Sequence, residues 1–253
     1  GIKRTLSHTY GLALAVLGTV TVTECDISLH EVMCRRVLLC TNWKSTTKNL
    51  SSLTSLLADM MLPLVCQLGD QLINTAQVQQ STSLPAVLDS MMHGIVGGLS
   101  WVVVLGSKVG SRAGIKEVLL AALLACLLDV DHFFMAGSWK LEDALNLPSR
   151  PPFHNTAVIP VIGAGIYILQ RIFQLEELHK LPLLFSLSWL SHQVRDAHRR
   201  GLWIGLVWTS SPLPGVVYLG LITLMPWIFR CANLRTHAKE EKSCQNTNLV
   251  NDV

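Results

Sequence analysis

Residues 118–128, VLLAALLACLL, carry no charged side chain, and apolar stretches of this kind recur along the chain at lengths near 20 residues. A helix of about 20 apolar residues crosses a hydrocarbon core roughly 30 Å thick. Within lipid every backbone N–H and C=O must be satisfied inside the segment, so stretches of this kind fold as helices. Candidate spans fall near 54–76, 86–106, 115–136, 155–173, 181–200 and 212–231. The expected fold class is therefore all-α: a polytopic membrane helical bundle of about five to six transmembrane helices. Asp59, Pro63 and Asp70 interrupt the first candidate span, and polar residues fill the end of the fifth.

Composition points the same way. Half of the 253 residues are hydrophobic, 15% are charged, and the formal net charge is only +3. Basic residues sit in short clusters between apolar runs, which suits membrane topology and excludes a phosphate-backbone partner: a lipid bilayer is expected, and no nucleic acid. The seven cysteines include no CxxC pair and read as packing residues, not as a disulfide frame or a zinc ribbon. Three regions follow. Residues 1–52 mix a 14-residue apolar run from Gly11, too short for a full span, with a basic and polar stretch. Residues 53–232 form the transmembrane helical domain, and 233–253 form a polar tail expected to be disordered.

Ionisable residues interrupt this apolar pattern at particular places. His93 lies about two turns into the second span. Asp129, Asp131 and His132 close the third in LLDVDHFFMAG, His154 opens the fourth in RPPFHNT, and His192 and Asp196 close the fifth in LSHQVRDAHRRG. With alternating spans, all of these fall on one membrane face. An Asp at the bilayer centre costs about 2.5–3.5 kcal/mol, whereas the seven Leu and Val residues of 118–128 return only about 2–4 kcal/mol together. The carboxylates must therefore lie near the interface, face the bundle interior, or be neutralised by a proton or a cation.

Neutral imidazoles and carboxylates are ligands for divalent metals such as zinc or manganese, and an ion removes the cost of clustered negative charge. On an ideal helix Asp129 and His132 share a face, as do His192 and Asp196. Asp131 points elsewhere unless the helix ends near Val130. The plainer readings are a hydrogen-bonded core histidine for His93, interfacial ion pairs for Asp131 and Asp196, interface anchoring for Trp101, Trp139, Trp189, Trp203, Trp208 and Trp227, and small-residue helix packing for HGIVGG.

From about Leu57 to Trp208 the chain resembles the eukaryotic transmembrane protein 267 family, through DVDHFFMAGS, LPSRPPFHNTAVIPV, SWLSHQVRDAHRRGLW and TSSPLP. More distantly it resembles the bacterial membrane-bound metal-dependent hydrolases, which carry an early Gly-His, a D-[IV]-D-H at a span end, an H-R-x-x-T-H-S segment and a late S-H-x-x-x-D. Taken position by position, this second resemblance implies metal-site roles for His93, Asp129, Asp131, His132, His154, His192 and Asp196. Ser149 stands where the first His of the bacterial segment falls, and Met92 precedes His93 in place of Gly.

Two classes of function remain open. In one, the protein is a metal-dependent membrane hydrolase. His93, Asp131, His132, His154, His192 and Asp196 hold one or two divalent ions, Asp129 acts as general base, and Arg199 and Arg200, or Arg150, bind an anionic leaving group of a lipid or lipid-linked substrate. In the other, it is a non-catalytic membrane protein whose polar cluster is structural or binds a partner. A proton- or ion-coupled carrier is a weaker third reading, because corresponding halves show no paired broken helices. The loops opposite the cluster carry nine basic residues against five on the cluster face, which places the tail in the cytoplasm.

Overall fold

A computed structural model describes residues 48–205 and 208–251, and the side chains of 53–175, 177–205 and 208–234. The region expected at 1–52, apart from the backbone of its last residues, lies outside the described residues. The long helices are α1 (Lys48–Ile73), α2 (Leu84–Leu105), α3 (Arg112–Leu127), α4 (Val158–Phe173), α5 (Leu181–Arg200) and α6 (Gly215–Asn251). A short antiparallel ribbon, β1 (Trp203–Ile204) with β2 (Trp208–Thr209), follows α5. The protein is an all-α polytopic membrane bundle.

Four segments are long and apolar enough to cross a bilayer: Leu53–Ile73, Leu84–Gly110, Arg112–Ala136 and Gly215–Leu234. The helix α4 is a shorter apolar one. Its 16 residues rise about 24 Å at 1.5 Å each, less than a full hydrocarbon core. Met60, Leu64 and Leu68 on α1, Leu119 and Leu123 on α3, and Val161, Ile168 and Ile172 on α4 are exposed. An outward face this apolar suits hydrocarbon and not water.

The helix α5 is different in kind. It packs against α2, α3, α4 and α6, and Leu184, Leu187, Ser188, Ser191, His192, Gln193, Arg195 and Asp196 are all buried along it. A helix surrounded by protein carries polar side chains because they meet partners and not lipid, which is why α5 does not read as a strongly apolar span. Apolar clusters fix it in place. Val194 joins Leu62, Val96, Val103, Tyr218 and Ile222, drawn from α1, α2 and α6, and Phe185 and Trp189 pack with Leu128 and Ile159.

Two local features set where the polar residues fall. The first is the close approach of α2 to α3. A Cβ on Gly97 would stand 2.7 Å from the Ala125 Cβ, and one on Gly94 would stand 2.7 Å from the Cys126 Sγ. The small residues of HGIVGG therefore serve helix packing, and they bring His93 against the end of α3. The second is how α3 ends. Its start is capped by Ser111, whose hydroxyl oxygen accepts from the Gly114 N–H at 2.9 Å. After Leu127 it tightens into a 3-10 turn, Leu128–Val130, continues as Asp131–Ala136, and stops at Gly137 in the left-handed region (φ 60°).

Some expectations need correction. Trp101 and Trp189 are core residues, not interface anchors. The Trp101 indole N–H donates to Glu117 at 3.0 Å, and Glu117 pairs with Lys180 at 2.8 Å, so Glu117 links this Trp to a charged pair. Trp189 stacks against Phe185 and Phe153. Cys231 is disulfide-bonded, not a simple packing residue.

Candidate metal centre

The early part of α2, the end of α3, the loop before α4 and the last turns of α5 meet at one end of the bundle. Here the 3-10 turn Pro152–His154 lowers His154 between the two carboxylates that follow α3. Its Nδ1 stands 3.3 Å from Asp131 Oδ2, and its Nε2 stands 3.7 Å from Asp129 Oδ1 and 3.6 Å from Asp196 Oδ2. His192 approaches the same place from α5, with Nε2 3.4 Å from Asp129 Oδ1 and 3.9 Å from Asp196 Oδ2. His93 stacks on His192 with ring centroids 3.6 Å apart. The His93 Nε2 is 3.4 Å from the other oxygen of Asp196.

The tautomers of two of these rings follow from their partners. His192 Nδ1 lies 2.8 Å from the Ala125 carbonyl oxygen, which only accepts, so Nδ1 bears the proton and Nε2 presents a lone pair. His154 Nδ1 faces the Asp131 carboxylate and donates to it in the same way. Both Nε2 atoms are buried and hydrogen-bond to nothing among the described residues. Burial works against a charge on His154, but the carboxylates of Asp129, Asp131 and Asp196 around it outweigh that and push its pKa up to about 9.

These spacings fit a cation. Ligands bonded at about 2.0–2.2 Å to a tetrahedral ion stand roughly 3.3–3.6 Å from one another. His154, His192 and Asp196, all buried, offer ligand atoms within 4.8 Å of one another. Asp129 Oδ1 stands beside this set, 3.4 and 3.7 Å from the two imidazoles, and Asp129 is 31% exposed. Charge agrees, since Asp70, Asp89, Asp129, Asp131 and Asp196 outnumber the guanidiniums paired with them, Arg195 and Arg199.

The remaining site residues fall into three places. Asp131, expected among the ligands, turns one oxygen to His154 and to the Phe153 N–H (3.0 Å), while the other lies 3.2 Å from His132 Nδ1. His132 meets His154 edge-on at 4.9 Å between ring centroids. Arg199 pairs with Asp89 at 2.6 Å and Asp196 at 3.1 Å, whereas Arg200 is exposed and stays outside the cluster. Two residues were missed from sequence. Asp89 lies four before His93, mirroring the H-x-x-x-D of α5, and that spacing was a readable signal. Arg195 is 1% exposed and pairs with Asp89 and with Asp70 (2.7 Å), so it ties α1, α2 and α5 together. The Asp70 that breaks the apolar pattern of α1 is explained by this pairing.

The chain is similar to proteins named transmembrane protein 267. That of Mus musculus is 39% identical over 169 residues, 66% of this chain and 78% of the relative. That of Bos taurus is 36% identical over 178 residues, 70% and 82% of the two chains. The Danio rerio protein is 33% identical over 176 residues, 69% and 79%. No family model and no solved structure matches the chain, so the bacterial hydrolase resemblance gains no support from these comparisons.

Proposed function

The chain belongs to the transmembrane protein 267 family, integral membrane proteins, and on that premise we propose that its buried His/Asp cluster is a divalent metal centre with hydrolytic capability. His154, His192 and Asp196 hold the ion, zinc or manganese by the chemistry of the donors. The observation that carries this reading is the pair of buried Nε2 atoms, which become ligands once His154 gives up its proton. Among the described residues they have no hydrogen-bond partner, each ring is held from behind through its Nδ1, and both face the same carboxylate oxygens.

An ion bound there supplies Lewis acidity and lowers the pKa of a water molecule. The protein's own residues divide the remaining work. Asp129 is the most open of the surrounding carboxylates and stands beside both imidazoles, which suits it to take a proton from water. Asp131 holds His154 in its tautomer and orientation, and the Ala125 carbonyl does the same for His192. Arg199 lies on the Asp196 oxygen turned away from these ligands, so its guanidinium fills the space between Asp196 and Asp89 and leaves room for one ion. The substrate reaches the site at the interface. Loop charges orient the tail to the cytoplasm and the cluster to the lumenal or extracellular side, so the sequon Asn49-Leu50-Ser51 stays unmodified.

Elemental analysis of the detergent-purified full chain, beside His192→Ala and Asp196→Asn, tests this reading. One ion per chain in the parent, lost from both variants while their helical signal persists, is expected. A parent that takes up no stoichiometric metal overturns it. A second reading, a structural polar cluster, draws on Arg195, which joins three helices through Asp70 and Asp89. It predicts that Asp131→Ala lowers folded yield, where a metal centre predicts a folded protein with weakened metal binding.

A further inference from the structure

The last turns of α1 and α5 leave a cavity of about 100 Å³ at the same end of the bundle, walled by Asp70, Ile73, Asn74, His198 and Arg199. At roughly 30 Å³ per molecule it has room for about three waters, or for one small polar group on a short carbon stem.

Partners outside the cavity decide what its polar walls offer. The Asn74 Nδ2 donates to the Asp70 carbonyl at 2.8 Å and so closes the end of α1, which leaves the amide oxygen as an acceptor. His198 Nδ1 lies 3.0 Å from the Leu213 carbonyl oxygen, which only accepts. In the neutral ring Nδ1 therefore bears the proton and Nε2 keeps a lone pair. The ring also stacks on Tyr218, with centroids 4.8 Å apart, which holds its plane. Asp70 gives one carboxylate oxygen to Arg195 at 2.7 Å, and among the described residues the other is unpaired. Three acceptors thus belong to one cavity, a carboxylate oxygen, an amide oxygen and an imidazole nitrogen. Arg199 is the remaining side-chain donor, and its guanidinium is drawn to Asp89 at 2.6 Å and Asp196 at 3.1 Å.

Charge narrows the ligand further. Asp70, Asp89 and Asp196 share the two guanidiniums of Arg195 and Arg199, which leaves one carboxylate charge unanswered. An ammonium group brings three N–H donors, no acceptor and the missing positive charge. An anion meets acceptors, and a hydroxyl leaves the charge unanswered. A trimethylammonium head has no N–H to donate and finds no aromatic cage in these walls.

We propose that this cavity binds a primary ammonium group on a short stem, as carried by free ethanolamine or by an aminoethyl lipid headgroup. Its N–H groups donate to the Asp70 carboxylate, the Asn74 amide oxygen and His198 Nε2. The site does not rest on the metal reading, because Arg199 lies on one oxygen of Asp196 and the two candidate imidazole ligands on the other. It gives Asp70 a second task beside its pairing with Arg195, and it gives His198 a task that its place outside the His/Asp cluster leaves open.

Isothermal titration calorimetry on the full chain in detergent tests it, with short-chain phosphatidylethanolamine, ethanolamine and short-chain phosphatidylcholine as probes. Saturable binding of phosphatidylethanolamine, ethanolamine or both is expected, with phosphatidylcholine at least about tenfold weaker. Asp70→Asn, which keeps the shape and removes the charge, weakens amine binding about tenfold or more. His198→Phe, which keeps a ring on Tyr218 and removes Nε2, weakens it about threefold to tenfold. Circular dichroism establishes that the variants are folded, and if Asp70→Asn is not, His198→Phe decides alone. Tighter binding of phosphatidylethanolamine than of ethanolamine assigns the site to a lipid headgroup, and equal or weaker binding assigns it to a free amine. No saturable binding of either amine, equal affinity for phosphatidylcholine, or parent-like affinity in folded His198→Phe overturns the site.

Discussion

Asp131→Asn separates a ligand from a residue that orients one. Asp131 accepts from His154 Nδ1 at 3.3 Å and from the Phe153 N–H at 3.0 Å, and neither of its oxygens is among the atoms facing His192 Nε2. Asparagine keeps one carbonyl acceptor of the same shape but removes the negative charge that steadies the His154 N–H. A hydrogen bond to a charged group contributes about 1.5–3 kcal/mol, and about 1.4 kcal/mol corresponds to a factor of ten. Metal affinity is therefore expected to fall roughly 10- to 150-fold, in line with the usual loss when a partner behind a metal-ligating histidine is removed. Competition against a chromogenic chelator in detergent measures this, with circular dichroism to confirm that the helices persist. Unchanged affinity refutes the orienting role. Complete loss of binding by a folded protein makes Asp131 a ligand and contradicts the arrangement described here.

Arg195→Leu leaves the Asp70 and Asp89 carboxylates without their buried cation and is expected to destabilise the bundle by about 3–5 kcal/mol, read as a lowered thermal midpoint in detergent; a midpoint unchanged from the parent contradicts that role. Gly97→Val forces a side chain into the 2.7 Å gap to Ala125 and should cost about 1–3 kcal/mol on the same assay, whereas Gly165→Val, with nothing within 4 Å, should be close to neutral. Metal affinity should rise with pH. His154 holds a proton below about 9 in the ion-free protein, and binding must expel it, so the apparent affinity grows about tenfold per pH unit from 7 and flattens above about 9. A pH-independent chelator titration over that range removes His154 from the ligand set.

The helices were readable because lipid imposes a length and an apolar period on each of them. The expected limits of 115–136 and the observed Arg112–Ala136 differ by little for that reason. The gathering of His93, Asp129, His154, His192 and Asp196 was readable too, since alternating spans bring those positions to one face. Their division of labour was not. Asp129 and Asp131 are two apart, and only the 3-10 turn Leu128–Val130 sets them on opposite edges of one imidazole, a backbone detail with no sequence signature. Arg195 was hidden differently. Beside Arg199 and Arg200 it reads as one of an interfacial basic patch, and only the three-dimensional placement of Asp70 and Asp89 shows that it is buried among carboxylates.

X-ray absorption on the zinc-loaded full chain addresses the centre most directly, since it reads the atoms around the ion without needing a substrate. The arrangement of His154, His192 and Asp196 predicts a single ion with nitrogen and oxygen neighbours at about 2.0–2.2 Å, imidazole scattering from two rings, and no sulfur at about 2.3 Å. It also predicts no second metal at about 3.5–4 Å, because Arg199 occupies the far side of Asp196. A spectrum without imidazole scattering, or one that His192→Ala leaves unchanged, contradicts it.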